Sequence, residues 1–79
     1  MKKEYIYTVC QGKMSRLGEG DFDYQKSFNK LESAKKFFNK IKDDKRGWGR
    51  FTNGQYLETF LVLNDNFDEP INHFCTEGV

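Results

Sequence analysis

One stretch of this chain can bury its apolar side chains on a single side only as a helix. Leu31, Ala34, Phe37, Phe38 and Ile41 recur at helical spacing and form one stripe about 100° wide. Lys36 and Lys40 fall opposite that stripe, with Lys35 and Lys42 on its flanks. The spacing predicts a helix from about Lys30 to about Lys45, with Asn29 as N-cap and Glu32 three residues on. Gly47 is the expected C-terminal stop, and the late lysines suit the negative end of the helix dipole.

On both sides of that helix the pattern changes to period two. Glu4 to Cys10 alternates Tyr5, Tyr7 and Val9 against Ile6, Thr8 and Cys10, which predicts a strand. Gln11 to Asp21, with Gly12, Gly18, Gly20, Lys13 and Arg16, reads as a loop. Phe22 to Phe28 reads as a second, half-exposed strand in a hairpin with the first. Downstream, Trp48 to Thr52 and Gln55 to Leu63 flank Asn53-Gly54, a strong hairpin signal. The longer strand is apolar on both faces, Leu57, Leu61 and Leu63 on one, Tyr56, Phe60 and Val62 on the other. Asn64 to Pro70 is an expected turn and Ile71 to Cys75 a short last strand. The expected fold is therefore α+β: an antiparallel sheet of four or five strands in the order ββ-α-β(β)β, with one helix across one face.

The 79 residues form one small expected domain, 1–79. Leu, Ile, Val and Phe total 19, enough for a folded chain, and the 13 aromatics outnumber the 11 Leu, Ile and Val residues. Rings must therefore supply much of the core, each buried Phe contributing about 1.5–3 kcal/mol. No apolar run is long enough to span a bilayer, and Met1-Lys2-Lys3-Glu4-Tyr5 lacks the apolar region of a signal peptide. A cytoplasmic location is expected, with Cys10 and Cys75 as reduced thiols. Lys, Asn, Phe, Tyr and Ile total 31 against 12 for Gly, Ala, Arg and Pro. The first group has AT-rich codons, which points to a low-GC bacterium or one of its phages, and in the phage case to the host cytoplasm.

Catalytic constellations are sparse. His73 and Cys75 lie two apart on one strand, about 7 Å, which reads as beyond hydrogen-bond reach for a nucleophile pair. A zinc site from Cys10, His73 and Cys75 lacks a fourth ligand and any ligand-pair spacing, so no metal is expected. The pairs Asp21/Asp23, Asp43/Asp44 and Asp68/Glu69 sit in turns or at element ends and read as solvated caps. Asn64, Asn66 and Asp68 lack the glycine and distal glutamate of a calcium loop. Gly12-Lys13-Met14-Ser15 fails the phosphate-loop pattern. No enzyme class and no cofactor is expected.

Charge is segregated. Lys35 to Arg50 carries seven basic side chains against Asp43 and Asp44, whereas the last 29 residues carry Glu58, Asp65, Asp68, Glu69, Glu77 and no lysine or arginine. A formal net charge of +1 thus hides a basic segment followed by an acidic one, which bears on partners rather than on fold. Within the basic segment, Trp48 stands between Gly47 and Gly49, with Arg46 and Arg50 nearby. Such residues favour a protein interface or, with the rings stacked on bases, nucleic acid; the alternative is that Trp48 folds back as a core plug. Trp48 to Gln55 also resembles, over eight residues, the short signature that names the WGR domain, a nucleic-acid-associated module. Its glycine–glutamine step comes one residue early and the helix precedes the motif, where that family places it afterwards. The chain is not assigned to that family.

One helix covers one face of a sheet, yet two strands are apolar on both sides. Tyr5, Tyr7, Tyr56 and Phe60 are therefore candidates for an uncovered aromatic face, depending on which side takes the helix. The expected function is non-enzymatic: a small domain that docks on another protein, meeting an acidic surface and an apolar patch, and modulates or inhibits it. A phage-encoded effector against a host protein fits the size and codon bias. Its expected partner-binding residues are Tyr5, Tyr7, Arg46, Trp48, Arg50, Tyr56 and Phe60. The alternatives are a weak nucleic-acid-binding module using the basic helix and Trp48 loop, or a charge-paired homodimer. No membrane partner is expected.

Overall fold

The computed structural model describes residues 5–15, 20, 22–52 and 54–76. Met1, Lys2, Lys3, Glu4, Arg16, Gly18, Asp21, Asn53 and Glu77, named above, lie outside the described residues. The elements are β1 (Tyr7–Met14), β2 (Tyr24–Phe28), α1 (Leu31–Ile41), β3 (Tyr56–Leu63) and β4 (Asn72–Cys75). The four strands form one sheet in the order β2-β1-β3-β4, every neighbouring pair antiparallel. With α1 packed on one face, this is the α+β class that the sequence predicts.

The helix lies where its stripe requires. Ala34 and Phe38 are buried against Val9 and Leu61, and Tyr7, Phe28, Leu31, Phe37, Ile41 and Phe74 pack around that centre. Strand register explains which sheet face is used. Val9 sits opposite Leu61 and Tyr7 opposite Leu63, so the β3 leucines and the β1 Tyr7/Val9 row share the helix side.

The helix is shorter than its sequence signals suggest. Its N-cap is Lys30, extended at φ −119° and ψ 133° and without a side-chain cap; Asn29 stands one residue too early. Its end falls at Ile41, where the Gln11 side-chain amide donates to the Ile41 carbonyl at 2.7 Å. A strand side chain, not Gly47, thus satisfies one orphan carbonyl of the last turn.

Two further expectations shift together. Gln11 to Met14, expected in a loop, continues β1, because β3 offers partners all the way from Leu63 to Tyr56. Trp48 to Thr52, expected as a hairpin strand, is irregular: β1 already occupies the β3 edge it needed. Gly47 and Gly49 adopt φ values of 85° and 79°, a left-handed conformation that breaks extension on both sides of Trp48.

The helix-free face is also partly covered. Thr8, Cys10, Met14 and Val62 are buried there. Phe22 and Phe67 fold over Phe60, with ring centroids 5.4 and 6.3 Å away, both edge-on. Asn64 and Asp65, both left-handed, turn the chain after β3, and the Asn64 side chain accepts a hydrogen bond from the Ile6 amide at 3.0 Å. That turn leads the connector back so that Phe67 reaches the sheet. β3 stands between the two cysteines: Cys10 lies opposite Phe60, and Cys75 on β4 opposite Glu58. No helix among the described residues is long and apolar enough to cross a membrane.

Candidate functional site

At the C-terminal end of α1 the chain forms a groove of about 480 Å³. Tyr24 of β2, Phe37 of α1 and Trp48 of the following loop give it aromatic walls, and Lys40 and Arg46 carry charge into it. Tyr24 and Phe37 stack with centroids 6.0 Å apart. Its floor is Gln11, only 3% exposed. The Gln11 amide donates to the Ile41 carbonyl and, at 3.0 Å, to the Thr59 hydroxyl. Its carbonyl oxygen accepts from the Trp48 indole N–H at 3.0 Å. One side chain thereby ties together two strands, the helix end and the loop. Trp48 is half-buried by this tether, closer to the core-plug reading than to a free anchor.

Arg46 is set by its neighbour. Its Nε and Nη2 donate to the two carboxylate oxygens of Asp44, each at 2.9 Å, and its backbone N–H donates to Oδ1 as well. This bidentate grip lowers the Asp44 carboxyl from its ordinary 3.8 to about 2. The guanidinium still faces solvent, its side chain 91% exposed. Farther along the loop, Phe51 lies between two ammonium groups, Lys13 at 4.7 Å and Lys45 at 5.1 Å from its ring centre. Lys13 also donates to the Arg50 carbonyl at 3.0 Å, pinning the loop to β1. Asp23 and Asp44 line the groove too; no thiol or imidazole does.

The seven expected binding residues do not form one surface. Arg46 and Trp48 line the groove, and Arg50 is exposed two residues beyond. Tyr7 belongs to the helix-side packing, which corrects its assignment to an uncovered face. Tyr5, 46% exposed, precedes β1. Tyr56 and Phe60 are half-buried on the helix-free side, with Phe60 under Phe22 and Phe67. The bare aromatic face expected from the sequence is therefore divided between two sides and partly roofed. Gln11, Tyr24 and Phe37, which complete the groove, were not among the expected binding residues; a glutamine that continues the inward Tyr7 and Val9 row is the signal that could have marked Gln11.

On the helix-free side, β3 and β4 bring three donor groups together. Nε2 of His73 lies 2.8 Å from Glu58 Oε1 and 3.2 Å from Cys75 Sγ. The expectation that His73 and Cys75 cannot meet is thus incorrect: their side chains lean together, although their backbones are two residues apart. With its hydrogen on Nε2 the imidazole donates to the Glu58 carboxylate, and with its hydrogen on Nδ1 it accepts from the Cys75 thiol. Burial and the neighbouring Glu58 push the Cys75 thiol up from its ordinary value, opposite to an activated nucleophile. The donor set weighed and set aside in the sequence, Cys10, His73 and Cys75, is not the one the fold assembles: Cys10 is two strands away, and Glu58 stands beside His73 and Cys75. Glu58 was missed because strand register, not spacing in the chain, delivers it.

Comparison of the chain with protein-family models, with curated proteins and with solved structures finds no match in any of the three.

Proposed function

We propose that this chain is a non-enzymatic protein-binding domain, and that its docking surface is the groove beside Trp48. The observation that carries the reading is the combination of three aromatic walls, Tyr24, Phe37 and Trp48, with the cations Lys40 and Arg46. Aromatic rings and arginine are the residue types that dominate binding energy at protein interfaces. Lys35 and Lys36, on the same helix as Lys40, and Arg50, in the same loop as Trp48, are also exposed and add positive charge to these two elements. The partner segment is therefore acidic with an apolar or aromatic side chain to seat between the rings. The domain modulates its partner by covering that segment.

Against the nucleic-acid reading, the Trp48 indole N–H is committed to Gln11 and cannot donate to a base edge. The test is capture from a lysate of the source cell, with and without nuclease, by the full chain and by Tyr24→Ala and Arg46→Glu variants. A nuclease-resistant partner held by the full chain and lost by both variants supports the reading. Capture that nuclease abolishes, capture of the chain's own copies alone, or equal capture by the variants overturns it.

A further inference from the structure

We propose that Glu58, His73 and Cys75 form a binding site for one zinc ion, with the fourth coordination position open. The site lies on the opposite side of the sheet from the groove and does not rest on the docking reading.

Register builds the site. Glu58 is the direct cross-strand partner of Cys75, and Phe60 that of His73, so Glu58 and His73 are diagonal neighbours on one face. His73 and Cys75 are two apart on β4 and share that face. The result is one carboxylate oxygen, one imidazole nitrogen and one sulfur, all within 4.8 Å of one another. The imidazole is held in place by Phe60, whose ring stacks on it at 4.2 Å and 10°.

The donor set selects the metal. Calcium and magnesium take oxygen ligands, whereas a thiolate with an imidazole suits a borderline-soft ion, and zinc accepts all three donor types. Zinc bonds of about 2.0–2.1 Å to nitrogen and oxygen and about 2.3 Å to sulfur put tetrahedral donors roughly 3.3–3.6 Å apart. The contacts to Nε2, 2.8 and 3.2 Å, need to widen by roughly 0.3–0.6 Å. Side-chain rotation supplies this, because His73 and Cys75 are exposed on an edge strand. Binding takes the thiol proton to solvent and places the imidazole hydrogen on Nδ1, leaving Nε2 as the ligand. Without metal, Nε2 lies within hydrogen-bond distance of both Glu58 and Cys75, so the same three groups already stand together. Three protein ligands leave a position for water or for a donor from another molecule.

The test uses the reduced, metal-stripped full chain, titrated with Zn²⁺ by calorimetry and with Co²⁺ by absorption. We expect one metal per chain, a sulfur-to-cobalt charge-transfer band and the visible bands of tetrahedral cobalt. Cys75→Ser should remove the charge-transfer band. Glu58→Gln, His73→Ala and Cys75→Ser should each weaken zinc binding by more than the roughly 10–100-fold loss that removal of an outer hydrogen-bond partner brings. Cys10→Ala, checked for folding by circular dichroism, should leave the spectrum and affinity unchanged. An octahedral cobalt spectrum without the sulfur band in the unaltered chain overturns the proposal, whatever the variants do. So does zinc binding that Cys75→Ser leaves intact.

Discussion

Gln11 shows how much one polar side chain can organise. It is buried, and both of its amide hydrogens and its carbonyl oxygen have partners on different elements: Ile41, Thr59 and Trp48. Gln11→Leu keeps the bulk but removes the acceptor of the Trp48 N–H and one of the two donors to the Ile41 carbonyl, which keeps the Asp44 amide, so it should destabilise the domain by about 1–3 kcal/mol in urea unfolding. Trp48 is the sole tryptophan, and its fluorescence should shift to the red in the folded variant as the ring loosens. At the groove rim, Arg46→Ala should return the Asp44 carboxyl from about 2 towards 3.8 in an NMR titration. The sign follows from the lowered value. The pair stabilises the fold above the ordinary carboxylate value and loses that contribution as pH falls through about 2. The variant's stability should therefore change less than that of the parent between those two values.

Within α1, neighbouring positions carry unequal loads. Phe38 is 1% exposed in the core, whereas Phe37 is half-buried, stacked on Tyr24 and tilted against Phe28, with Lys26 over it. Phe38→Ala should cost about 3–5 kcal/mol, and Phe37→Ala clearly less. Equal losses in denaturant unfolding would contradict this rotation of the helix. The N-terminus leaves room for improvement. Lys30 sits at the N-cap in the right backbone conformation but offers no acceptor oxygen. Lys30→Ser should therefore stabilise the domain by about 0.5–2 kcal/mol, read as a higher melting temperature.

At the scale of the whole molecule, folding turns a charge sequence into a two-sided object. The exposed Lys35, Lys36 and Lys40 belong to the helix side, whereas Glu58 and Asp65 lie with the helix-free face. Such separation orients encounter more than it strengthens a final complex. Once a partner is in hand, raising salt from about 0.05 to 0.5 M should slow association much more than it speeds dissociation, because screening acts on exposed charges at long range. A salt-independent association rate would remove electrostatic steering from the account.

What the sequence determined by itself was whatever depends on local periodicity. The stripe from Leu31 to Ile41 fixes a helix and the face it buries, and alternation in Tyr7–Cys10 and Tyr56–Leu63 fixes strands and assigns side chains to opposite faces. Only tertiary structure decided which face the helix takes, how far β1 runs, and where the helix stops. The first follows from core packing, the second from β3 offering partners beyond Cys10, and the third from a hydrogen bond across 30 positions. The candidate sites divide in the same way. Arg46 and Trp48 could be picked out along the chain, because their residue types and glycine flanks are local facts. Gln11 and Glu58 could not, because each acquires its role from cross-strand register and long-range contact, which no local spacing encodes.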